Sequence, residues 1–96
     1  MRVISEKPLR EFWLKHADAE TSLRFWLKAT KSALWKSLSD VRKTFGSADV
    51  YNALTIFNIG GNKYRLIVEI NYGIKIVYVQ EVLTHAEYSK GDWKDR

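Results

Sequence analysis

Gly46 separates two hydrophobic periods, and the change between them limits the folds open to this chain. Before it, Leu9, Phe12, Trp13 and His16 recur at i, i+3, i+4 and i+7, and Leu23, Trp26, Leu27, Thr30 and Leu34 repeat that spacing. Each set therefore lies on one face of a helix. After Gly46 the period is two. Tyr64, Leu66, Val68 and Ile70 fall on one side of a strand, with Lys63, Arg65, Ile67 and Glu69 on the other.

The punctuation agrees with these periods. Arg2 to Ser5 reads as a short opening strand stopped at Glu6-Lys7-Pro8, because proline suits a first helical turn, where its missing N–H costs nothing. Ala17 to Ala19 makes the turn of an αα-hairpin, and Asp18 is the expected cap of its second helix. Ser37 to Asp40 caps a shorter helical turn through Val41 and Phe45 that ends at Gly46. Tyr51 to Phe57 reads as one strand leading into the Asn58 to Asn62 turn; Asn71-Tyr72-Gly73 reverses the next, and Ile76 to Leu83 is rich in β-branched residues. The tail from Lys90 to Arg96 is polar enough to fray unless Trp93 packs. An antiparallel meander with one apolar face must cover it, and the two helices carry matching stripes, so the expected architecture is α+β, β-α-α-β-β-β, with the first strand at an edge.

Ninety-six residues suggest one domain spanning 1–96, and 46% hydrophobic residues supply a core. No cysteine and two scattered histidines leave no disulfide framework, thiolate or zinc ligand set, so neither a metal nor another cofactor is expected. The apolar runs are far short of the ~20 residues that cross a bilayer, and no signal-peptide pattern opens the chain. A cytoplasmic protein without a membrane partner is the expectation. A net charge of +5 and a pI near 9.6 favour an anionic partner.

Arg65, between Tyr64 and Leu66, must stand on the face away from the core with Lys63 two residues away, so two cations line one strand and Lys63 is expected to help Arg65 hold an RNA phosphate. A planar fork that is always charged can grip two phosphate oxygens and stabilise a pentacovalent transition state; the alternative is a solvated strand face where Arg65 pairs with Glu69 or Glu81. Glu81 is expected on the face of Val77 and Val79, as a rim carboxylate outside the catalytic set. His85 and Tyr88 follow the last strand in a segment that Thr84 can cap, at i and i+3 on a common side if helical. Imidazole can give or take a proton near neutrality, whereas a phenol needs neighbouring cations to favour its anion and can also stack on a splayed base. His16 closes an apolar helical face and reads as packing, as do Trp13, Trp26 and Trp35. Arg24, Lys28 and Lys31 form a basic ridge on the second helix, suited equally to RNA backbone or to solvent. Lys90 can contact phosphate or be a solvated tail lysine.

The words Phe57-Asn58-Ile59-Gly60-Gly61-Asn62, Tyr64-Arg65-Leu66 and Val82-Leu83-Thr84-His85-Ala86-Glu87-Tyr88, with Arg2-Val3-Ile4-Ser5, resemble in order and spacing the HigB-type toxins of the RelE-like mRNA interferase family. That resemblance implies a ribosome-dependent mRNA endonuclease, the toxin of a type II toxin-antitoxin pair, on the same β-α-α-β-β-β order. It further implies Arg65, His85 and Tyr88 as catalytic residues, mRNA on the ribosome as substrate, contact with ribosomal RNA, and a HigA-type helix-turn-helix antitoxin as partner. Which of His85 and Tyr88 is base and which acid stays open, since relatives differ. RelE-like enzymes often crowd basic residues before the central strand, but none lies between Asp49 and Asn62 here, which suits a substrate held by the ribosome. A non-catalytic RNA-binding or partner-binding module on the same fold is the alternative.

Overall fold

The computed structural model describes residues 1–95. Its elements are β1 (Arg2–Ile4), α1 (Lys7–Lys15), a 3-10 turn (Ala17–Ala19), α2 (Glu20–Ser32), α3 (Leu38–Thr44), β2 (Asp49–Tyr51), β3 (Leu54–Ile59), β4 (Tyr64–Asn71), β5 (Ile76–Thr84), α4 (His85–Lys90) and a second 3-10 turn (Asp92–Asp95). The fold is α+β: helices cover one face of a five-stranded sheet ordered β1-β5-β4-β3-β2. β2 to β5 are antiparallel neighbours, and β1 lies parallel against β5 at the edge. Among the described residues no helix is long and apolar enough to cross a membrane.

The two helical stripes meet the sheet as their spacing predicts. Leu9 and Trp13 from α1, with Leu23 and Trp26 from α2, are buried against Phe57, Leu66, Val68 and Val77. The Trp26 ring meets Phe57 edge-on at 5.5 Å, an arrangement the ring quadrupoles favour. His16 stacks on Phe12 at 4.4 Å, consistent with its reading as packing.

Three local expectations need correction. α2 stops at Ser32, so Leu34 is 75% exposed, and Trp35, at 3%, enters the core instead. Ala33 is extended, and the carbonyls beyond the helix find donors elsewhere: the Met1 amino group reaches Ala33 and Lys75 Nζ reaches Trp35 at 3.1 Å. A larger aromatic is buried without leaving those acceptors unsatisfied. The Tyr51 to Phe57 stretch is not one strand but a hairpin of β2 and β3 about Asn52-Ala53, with Asn52 at φ +54°, a left-handed conformation that asparagine tolerates. Asp18 makes no cap bond to α2; it turns to β4 instead.

The fourth correction bears on the site. Ile67 pairs with Glu81 but Val68 pairs with Val79, so Gln80 is the extra residue of a β-bulge. The bulge resets the alternation of β5. Val77, Val79 and Val82 all face the helices, and Glu81 joins Ile67 and Leu83 on the outer face rather than sharing one with Val77 and Val79.

Candidate active site on the outer sheet face

On that outer face Ile56, Ile67, Leu83 and Trp93 form a second, smaller cluster, with Leu54 and Tyr88 packed against it. Its cover is the C-terminal segment, and local chemistry dictates how that segment lies. Thr84 caps α4 through a reciprocal pair: Glu87 N–H donates to Thr84 Oγ1 at 3.2 Å, and Thr84 N–H donates to Glu87 Oε1 at 2.9 Å. This backbone bond, ahead of the other contacts, holds the Glu87 carboxyl below its ordinary range. Gly91, at φ +79°, ends the helix and doubles the chain back. Trp93 Nε1–H then donates to the Tyr88 carbonyl at 2.9 Å, and the indole stacks on the phenol at 5.0 Å. The tail therefore packs through Trp93, as far as the described residues extend; Arg96 lies outside them.

Arg65 leaves β4 on this same face. Its Nη1 donates to the carbonyls of Asn62 and Tyr64, both at 3.2 Å, and its guanidinium lies 5.1 Å from the centre of the Tyr88 ring. Guanidinium, phenol and indole form a row. Since Arg65 and Trp93 already crowd the Tyr88 ring, its hydroxyl edge is better placed for chemistry than its faces are for stacking a base. His85 sits one turn before Tyr88 on α4, exposed, with Nδ1 3.4 Å from Ser89 Oγ. Its backbone N–H donates to the Lys63 carbonyl at 3.0 Å, which ties the start of α4 to the turn preceding β4.

That turn is anchored by a residue whose role here the sequence did not reveal. Asp18 accepts from Tyr64 OH at 2.6 Å and from Lys63 Nζ at 3.2 Å. The Tyr64 bond first, and Lys63 next, hold the Asp18 carboxyl low, while the same bond raises the Tyr64 phenol. Asp18 thus fastens the segment whose carbonyls hold both the Arg65 side chain and the His85 backbone. Spacing along the chain gives no sign of this, because the partners are separated by 45 and 46 positions.

The expected cations are mostly engaged. Lys63 is held at Asp18 rather than standing beside Arg65. In the helix ridge, Arg24 bonds Glu20 at 2.6 Å and lies over the Trp13 ring, Lys31 pairs with Glu6 at 2.8 Å, and Lys28 is exposed. Lys90 is exposed beside Glu81, Glu87 and Asp92, which line a groove with it. Exposed pairs of this kind contribute ~0–1 kcal/mol, so a polyanion can compete for the cations.

Residues 19–91 match the family HigB_toxin, described as the RelE-like toxic component of a toxin-antitoxin system. The chain belongs to this family. The matched span contains Arg65, His85 and Tyr88, whereas Asp18 and Trp93 lie just outside it. Among the toxin's relatives, the protein named mRNA interferase HigB from Escherichia coli O6:H1 is 28% identical over 93 residues, covering 94% of this chain and 90% of the relative. The mRNA interferase toxin HigB of Escherichia coli K12 and mRNA interferase HigB of Shigella flexneri are each 28% identical over 91 residues, covering 92% of this chain and 88% of theirs.

Proposed function

We propose that this HigB-family toxin is an endoribonuclease that cuts mRNA on the ribosome without a metal. The observation that carries the reading is the Arg65 guanidinium against the Tyr88 ring, with His85 one helical turn away, on the sheet face opposite the helices. The substrate's 2′-oxygen attacks the adjacent phosphorus as its proton passes to a base; the P–O5′ bond breaks as an acid protonates the leaving oxygen. A 2′,3′-cyclic phosphate and a 5′-hydroxyl remain. Arg65 stabilises the phosphorane charge, and His85 and Tyr88 jointly move the two protons.

Ribosome dependence fits the charge distribution along the chain. No basic residue lies between Asp49 and Asn62, so few cations flank Arg65 to hold a free strand, and the ribosome supplies that positioning. The exposed ridge ending at Lys28 and Lys31 suits ribosomal RNA, and Lys90 suits a flanking phosphate. A HigA-type helix-turn-helix antitoxin would silence the toxin by covering this face or displacing the segment from His85 onward.

Induced expression of wild type, Arg65→Ala and His85→Ala, with mapping of mRNA 5′ ends before and after arrest of translation, tests the reading. Cuts that need translation and vanish with Arg65→Ala are expected. Wild-type cells without new ends, or cuts unchanged in both variants, would overturn it in favour of a binding module.

A further inference from the structure

Past Trp93, on the side away from Arg65, the outer face opens into a cavity of about 230 Å³ that the proposed chemistry does not use. Leu54 and Ile67 are its apolar lining on the sheet, Tyr51 contributes an aromatic ring, Gln80 and Glu69 bring polar ends, and Lys94 borders it from the C-terminal turn. Its volume is below the ~300 Å³ at which pockets begin to hold drug-sized molecules, so it suits a single flat ring system.

We infer that this cavity seats one unpaired nucleobase of the RNA strand next to the scissile linkage, with Tyr51 as the stacking ring and Gln80 as the group that reads the base edge. The inference rests on the endonuclease reading for its choice of ligand. Three features favour a base over another flat ligand.

Position is the first. Arg65, Ile67 and Glu69 alternate along one side of β4, so the two cavity residues on that strand lie ~7 and ~13 Å along the backbone from Arg65. An RNA strand that runs along β4 from a phosphate at Arg65 would reach the cavity beyond Trp93.

The second is the bulge, because Gln80 is the inserted residue and borders this cavity. Without the insertion, period two would not place both Gln80 and Glu81 off the helix-facing core. A carboxamide offers a donor and an acceptor side by side, the arrangement a base edge presents in return. Bulges re-aim side chains in this way next to sites.

The third is the rim. Lys94 Nζ lies 5.1 Å from the Tyr51 ring centre and 5.6 Å from that of Trp93, while Tyr51 meets Trp93 edge-on at 5.4 Å. Aromatic rings beside a cation that can reach a phosphate are the elements of single-strand recognition.

The test uses the full isotopically labelled chain and trinucleotides that are 2′-O-methylated, so that they bind but lack the attacking hydroxyl. NMR titration with each of the four homotrimers should move the Trp93 indole N–H and the Gln80 carboxamide to different extents with different bases. Tyr51→Ala should weaken binding about tenfold, the loss of one stacked base. Gln80→Ala, at a half-exposed position that does not threaten folding, should lower binding of the preferred homotrimer to the level of the others, erasing the difference between bases, and in cells should flatten base preference beside the cut. Shifts confined to α2 or α4, shifts identical for all four bases, or a cavity that answers to the antitoxin and not to RNA would each overturn the inference. Base-dependent binding in the cavity by a toxin that cuts nothing would sink the endonuclease reading and leave this one standing.

Discussion

The two faces of the sheet are held by different means. On the helix face, Leu9, Leu23, Trp26, Phe57, Leu66, Val68 and Val77 are almost wholly out of solvent, and contacts between distant segments interlock there. On the outer face a small cluster is covered by the stretch from His85 to Asp95, which reaches the sheet chiefly through Trp93. One face carries the stability. The other carries the candidate chemistry on a short, replaceable cover, and regions with few buried contacts are the ones that open first.

The hardest blow to this contrast falls on the helix face. Trp26→Ala should cost ~3–5 kcal/mol, much of the stability of so small a domain, and urea unfolding would show it. Arg65→Ala should do the reverse, lowering the cleavage rate about 10²–10³-fold while the unfolding free energy stays within ~0.5 kcal/mol of wild type. If both variants lost stability equally, the division of labour would be wrong.

Trp93→Ala sharpens the comparison at the boundary. It should loosen α4 and reduce cleavage more than it lowers global stability, with amide exchange rising from residue 85 onward before the helix-face strands respond. Asp18→Asn should weaken the anchor of the Lys63–Tyr64 turn, giving a several-fold fall in the single-turnover rate with little change in ribosome affinity. A Glu at that position, keeping the charge, should recover part of the rate.

Acid supplies the gentlest separation. Asp18 and Glu87 are held below their ordinary values of 3.8 and 4.5 in the folded protein, so their contribution is fully present above those values and is lost as pH falls through the lowered ones. Asp40 on α3 is held low as well, first by the Lys36 N–H, but it ties an exposed helix end and not the buried Trp26 core, so the outer face should loosen ahead of that core. Indole N–H signals followed by NMR during acidification would show Trp93 changing before Trp26; simultaneous change would contradict it.

Much of this was legible in the chain. The stripes of α1 and α2, the alternation that sends Arg65 outward, and the Thr84 cap are local regularities set by spacing of a few residues. The failures were also physical. Leu34 fits the helical period as well as Trp26 does, but the extended backbone at Ala33 puts Trp35 into the core in its place. Asp18 is a sound cap by type, yet a phenol and an ammonium from β4's approach offered it more.

By itself the sequence determined that two amphipathic helices would cover a meander and that a guanidinium would face away from them, because periods of 3.6 and 2 are properties of the backbone. Only the tertiary structure decided which groups meet. Strand register and the extra residue at Gln80 put Glu81 on the outer face, the C-terminal segment laid Trp93 on Ile67 and Leu83, and Asp18 drew Lys63 away from Arg65. Each is a contact or pairing that only the closed fold brings within reach, and neighbouring residues carry no trace of it.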